Sequence, residues 1–106
     1  MADPVKVTPE QADEILEVEH PVLVDVRPEG LYEGGHLPGA INIPWDQIDK
    51  ERAAKIASET DKPIMVYCQS GMHSANASKK LTDLGYTKVY DMQGGIENYK
   101  GSIVKD

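Results

Sequence analysis

The sequence contains no phenylalanine, one tryptophan and a single cysteine. One cysteine excludes an intramolecular disulfide and any metal site built on several thiolates. No apolar run approaches the roughly 20 residues that a membrane span needs, so no membrane segment is expected. Met1 to Val7 lacks a charged leader followed by an apolar stretch. No secretory signal is therefore read there, and the expected compartment is the cytoplasm. No basic stripe is present that could neutralise phosphates, which argues against nucleic-acid binding. The three histidines, His20, His36 and His73, lack metal-ligand spacing, and neither a metal nor an organic cofactor is expected. Low-complexity segments and internal repeats are also missing.

What is present is an ordinary globular composition, 40% hydrophobic and 27% charged, over 106 residues. That length suits one domain, 1–106, with one small core. The net charge of −7 is uneven. Residues 1–53 hold twelve acids against four bases, and residues 54–106 hold six against seven. Asp13, Glu14, Glu17 and Glu19 concentrate the acidity. They read as a solvated helix face, with a docking surface for a basic partner as the alternative.

Helical and extended segments alternate along the chain. Thr8-Pro9-Glu10-Gln11 carries a capping box with proline in the first turn, and Ala12, Ile15 and Leu16 supply the apolar face. His20-Pro21 stops that helix. Val22 to Val26 is a short apolar run suited to a strand buried on both faces. Pro28 to Glu33 reads as a short helix ended by Gly34-Gly35, and Ala40 to Ile43 as a strand closed by Pro44. Asp46 to Ala57 is helical in composition. Pro63 to Tyr67 is a second buried strand. Ser74 to Leu84 is helical, with Gly85 as its stop, and Lys88 to Tyr90 is a last strand. Gly94-Gly95 precedes a short helix from Ile96 to Tyr99. This alternation predicts an α/β domain with a mainly parallel sheet, whose ligand site lies beyond the carboxyl ends of the strands. Asp25-Val26-Arg27 and Cys68 fall there.

Cys68 leaves a buried strand, a loop containing Gly71 comes next, and a helix begins. The start of a helix presents unpaired backbone N–H groups and the positive end of its dipole. Loop amides can add an anion-binding nest. A thiolate in that position is stabilised, and the thiolate is the nucleophilic form. The alternative is a buried cysteine at a strand end beside an ordinary glycine turn. The polar loop on both sides of Gly71 favours the reactive reading.

Four segments in order, Asp25-Val26-Arg27, Tyr32 to Pro44, Cys68 to Ser74 and Gly94-Gly95-Ile96, resemble the rhodanese family along nearly the whole chain. Asp25-Val26-Arg27 looks like its Asp-x-Arg. Tyr32 to Pro44, with Gly35-His36-Leu37-Pro38-Gly39-Ala40, is close to its Tyr-x-x-Gly-His-Ile-Pro-Gly-Ala-x-x-Ile-Pro segment. Cys68-Gln69-Ser70-Gly71-Met72-His73-Ser74 resembles its active loop Cys-x-x-Gly-x-Arg-Ser, with His73 where arginine is frequent. Gly94-Gly95-Ile96 resembles its closing segment, with Tyr99 where tryptophan is usual. The resemblance implies a five-stranded, mainly parallel sheet flanked by helices on both faces. It also implies a thiosulfate sulfurtransferase working through a persulfide on Cys68. The implied partners are a small anionic, thiosulfate-like donor and a thiol, cyanide or partner-protein acceptor. A catalytically weak binding or sulfur-carrier module is the alternative. A phosphatase or arsenate reductase is disfavoured, because the family associates those activities with a loop one residue longer and ending in arginine.

Asp25 and Arg27 either charge the pocket or brace it, Asp25 as a helix cap and Arg27 paired with Glu33, the bracing role being preferred. His36 is expected to hydrogen-bond inside its glycine-rich turn. Trp45 either walls the pocket or covers the core, and Met72 could line the loop.

Overall fold

The computed structural model describes residues 3–105. Five parallel strands form one sheet in the order β1-β5-β4-β2-β3: β1 Val5–Val7, β2 Val22–Asp25, β3 Ile41–Asn42, β4 Ile64–Tyr67 and β5 Val89–Met92. Four α-helices connect them: α1 Pro9–Glu19, α2 Glu29–Glu33, α3 Lys50–Ile56 and α4 Met72–Asp83. No helix among the described residues is long and apolar enough to cross a membrane.

The capping box at Thr8 and Gln11 forms in both directions, and α1 ends at His20 in the left-handed conformation. The helical segment expected over 46–57 is broken. A 3₁₀ turn spans Trp45–Gln47, Ile48 is extended and 8% exposed, and the Asp49 carboxylate accepts the Arg52 amide to start α3 afresh. Burying Ile48 takes the chain out of helix, and Asp49 then caps α3. β1 is too short to establish a pattern in the sequence, and only Val7 of its three residues is buried. β5 extends past Tyr90 to Met92 and carries a buried acid, Asp91, that masks its apolar character.

Alternation along β4 divides the core between the sheet faces. Ile64 and Val66 join Cys68, Ala77, Leu81 and Val89 on the side of α3 and α4. Met65 and Tyr67 join Leu23, Leu37 and Met92 on the side of α1 and α2. The period of two therefore delivers Cys68, the residue after the strand, to the face where α4 begins.

A second contact fixes the loop after Cys68. The Ile96 amide donates to the Cys68 carbonyl at 2.9 Å, and the Glu97 amide donates to the Gln69 carbonyl at 3.1 Å. Gly95 permits this approach with φ 61° and ψ −161°, a region essentially reserved for glycine. A Cβ there would stand 2.6 Å from the Gln69 carbonyl carbon and oxygen. Gly95→Ala is expected to lose at least ~2 kcal/mol from backbone strain and overlap. Gly30→Ala lies in α2 with nothing within 4 Å of the added atom, and should be neutral or gain up to about 1 kcal/mol. Urea unfolding midpoints of the two variants check this, and equal losses would contradict the contact.

Candidate active site

Cys68 sits at the carboxyl end of β4, 2% exposed. Its sulfur accepts two backbone amides, from Gly71 at 3.0 Å and from Ser74 at 3.3 Å. Gly71 is the N-cap of α4 with φ 103°, and that conformation turns its N–H inward. A Cβ on Gly71 would stand 3.1 Å from the Gly94 amide nitrogen, so the glycine turn before Ile96 closes against the loop from outside. Two amide donors at a helix start aim partial positive charge at the sulfur. The helix begins two residues before the expected Ser74, at Met72. The cradle is thus the first turn of the helix itself.

The remaining loop residues divide by exposure. Gln69, Ser70, Met72 and His73 are exposed, and Ser74 is fully buried. The His73 ring stacks on Trp45 at 4.5 Å between centroids and 10° between planes. Trp45 also packs against the core cluster that contains Cys68, so it both covers the core and walls the loop. Ser74 carries a contact that sequence reasoning missed. Its hydroxyl donates at 2.6 Å to Asp91, a buried carboxylate of β5. Burial raises the Asp91 pKa, opposed by the Ser74 hydrogen bond and the charge of Lys6. No motif around Asp91 announces this pairing, which arises from the placement of α4 over β5.

Asp25 and Arg27 form a buried fork. Arg27 Nη2 and Nε reach Asp25 Oδ2 at 2.7 and 3.0 Å, and the Arg27 amide donates to Asp25 Oδ1 at 2.9 Å. Arg27 also donates to the Gly35 carbonyl at 2.6 Å and to Gln69 Oε1 at 3.4 Å. This corrects the expectation that Asp25 caps the short helix and that Arg27 pairs with Glu33. Pro28 occupies the N-cap of α2 without a side-chain hydrogen bond, and Glu33 is exposed. A buried guanidinium requires a buried counter-charge, which Asp25 supplies at 0% exposure. Burial works against the Arg27 charge, but the Asp25 hydrogen bonds and charge outweigh it and raise the pKa. Burial likewise pushes the Tyr67 hydroxyl well above its usual range, so it stays neutral and accepts the Leu37 amide at 3.1 Å. His36 is buried, stacks on Tyr32 at 3.9 Å, and places Nδ1 3.0 Å from the Tyr32 carbonyl.

A family model described as a rhodanese-like domain matches residues 8–102. The uncharacterized protein YqhL of Bacillus subtilis (strain 168) is 42% identical over 81 residues, covering 76% of this chain. This chain spans only 62% of the length of that protein. Thiosulfate sulfurtransferase PspE of Escherichia coli (strain K12) is 37% identical over 82 residues, covering 77% of each protein. The solved structure of a rhodanese with anions from E. coli superposes with a TM-score of 0.73 at 35% identity, over 81% of this chain and 99% of that one.

The fork yields a stability test. Asp25→Asn leaves a buried guanidinium without its counter-charge and should cost roughly 3–5 kcal/mol. Asp25→Asn combined with Arg27→Met removes both charges and should cost less than Asp25→Asn alone. Denaturant melts of the single and double variants measure this, and additive losses would show that the two residues act separately.

Proposed function

Because the chain belongs to the rhodanese-like family, we propose that it acts as one rhodanese-like domain over residues 1–106 and moves sulfane sulfur through a persulfide on Cys68. The observation that carries this reading is the sulfur cradle, in which the Gly71 and Ser74 amides both point at Cys68 Sγ. The Cys68 thiolate attacks the outer sulfur of a donor such as thiosulfate. The donor S–S bond breaks, and sulfite leaves with its electron pair. Cys68 then carries one extra sulfur as a persulfide. Cyanide or a thiolate attacks that terminal sulfur, the new S–S bond breaks, and the Cys68 thiolate returns. No external oxidant or reductant enters, because the sulfane sulfur passes between nucleophiles.

The steric setting supports one-atom transfer. Cys68 is 2% exposed, and its loop is closed from behind by Gly94 and Gly95. A phosphoryl group needs a wider loop with a bidentate cation. The sixth position of this loop carries His73, stacked on Trp45. Arg27 is neutralised by Asp25 in the interior. Donor binding therefore relies on amides and helix dipole more than on a fixed cation. Gln69, Ser70 and Met72 form the exposed side of the loop that an acceptor, small thiol or protein, would meet.

Incubation with thiosulfate should add one sulfur atom to the intact protein, removable by cyanide or dithiothreitol. Cys68→Ser should abolish the adduct and the transfer of sulfur to cyanide while the protein stays folded. Intact mass spectrometry and a thiocyanate assay read both, and unchanged turnover in Cys68→Ser would end the proposal.

The His73 position gives a graded test. An arginine there would add a charged, two-pronged contact to an anionic donor. Such contacts are worth roughly 1.5–3 kcal/mol, so His73→Arg should raise kcat/KM for thiosulfate about ten- to a hundredfold. His73→Ala should not raise it. Equal values for all three proteins would show that this side chain does not face the donor.

A further inference from the structure

Asp91 is a buried carboxylate that the sulfur-transfer steps do not use. It is 4% exposed, it lies one strand away from β4, and its Oδ1 accepts the Ser74 hydroxyl at 2.6 Å. Ser74 in turn donates its amide to Cys68 Sγ at 3.3 Å. The carboxylate is therefore two hydrogen bonds and one residue from the sulfur. Among the described residues the charged group that acts on it is Lys6, its register partner on β1. α4 presents Ser74 to it, and β4 places Val66 beside it in register.

The Ser74 hydroxyl has one proton and two acceptors within reach. These are Asp91 Oδ1 at 2.6 Å and the Gly71 carbonyl at 3.2 Å. When Asp91 is ionised, the shorter contact to the carboxylate takes the proton. When Asp91 is neutral, its own O–H donates to Ser74 Oγ, and the serine proton is free to turn to the Gly71 carbonyl. Gly71 and Ser74 are the two residues whose amides hold the sulfur. The charge on Asp91 thus selects between two hydrogen-bond arrangements at the foot of the cradle. An ionised carboxylate at this depth also opposes a second negative charge on the sulfur, because like charges in a poorly solvated site disfavour one another.

We propose that Asp91 is a positioning residue of the sulfur site: it holds Ser74 so that the Ser74 amide stays on Cys68, and its charge restrains how readily that sulfur becomes anionic. The proposal rests on reading Cys68 as the reacting sulfur, but its test does not require sulfur transfer. Cys68 is the only thiol in the chain. Its alkylation by iodoacetamide reports the nucleophilic sulfur alone.

Asp91→Asn keeps the shape and an acceptor for the Ser74 hydroxyl while removing the charge. Asp91→Ala removes both. Asp91→Asn should alkylate about three- to tenfold faster than the parent protein at pH 7, with its rate–pH profile moved toward lower pH. Asp91→Ala should lose the parent profile without matching Asp91→Asn, since its cradle has lost the group that aims Ser74. Superimposable profiles for the parent protein and Asp91→Asn would overturn the proposal, even if Asp91→Ala failed to fold. Thiosulfate turnover measured on the same samples separates the two claims. If the parent protein transfers no sulfur, the proposed function fails, while the alkylation comparison still decides the role of Asp91.

Stability supplies a second readout with a defined sign. Burial raises the Asp91 pKa above the ordinary aspartate value, so the folded chain retains a proton that the unfolded chain has released. The resulting stabilisation is complete below the unfolded pKa and is lost as pH rises through the folded one. Asparagine has no such proton to lose. Asp91→Asn should therefore gain stability relative to the parent protein between acid and neutral pH, and a gain that shrinks with rising pH would contradict a raised Asp91.

Discussion

The approach of the Gly94–Gly95 turn to the backbone of Cys68 and Gln69 is the constraint on which the site depends. Two amides beyond Gly95 donate to the carbonyls of the loop, and no Cβ fits between the segments. Once those carbonyls are tied outward, the loop can place the Gly71 and Ser74 amides on the sulfur. Remove the close approach and Gly71 has no wall behind it. The cradle is therefore a property of two chain segments far apart in sequence, brought together because β4 and β5 are neighbours.

The Asp25–Arg27 fork does for the other side of the site what the glycine turn does behind the loop. One guanidinium joins the end of β2, the Gly35 carbonyl before β3 and the Gln69 side chain in the loop. Its worth is not a simple sum of attractions, because burying two charges costs nearly what their pairing returns. What the fork supplies is a fixed direction for three connections at the carboxyl edge of the sheet. Asn42 continues the arrangement by donating to the carbonyls of both Asp25 and Arg27.

Features that depend on neighbours in sequence are legible without the structure. The Thr8 capping box, the β2 and β4 runs and the placement of Cys68 beyond β4 all come from local chemistry. Val5–Val7 is not legible, since three residues are too few to establish a period of two. The break at Ile48 is hard to read because Lys50 to Ala57 is strongly helical in composition, and the one local signal for a fresh start is Asp49, a residue favoured at helix N-caps. Asp25 reads locally as a helix cap because that is the common role for an aspartate before a short helix. Its actual partner is two residues away, in a pairing driven by burial. Asp91 has no signal in the sequence at all, because its meaning comes from Ser74, seventeen positions earlier on another element.

Two backbone amides donate to the single sulfur of Cys68, and the proposed sulfur transfer depends on them. The most direct measurement follows the amide resonances of the ¹⁵N-labelled protein across the pH range in which Cys68 becomes reactive to alkylation. The Gly71 and Ser74 amide protons should move downfield together, in step with the alkylation rate, as their acceptor turns from thiol to thiolate. If the alkylation rate rises while both resonances stay in place, the amides do not hold the sulfur charge and the cradle is not what makes Cys68 reactive.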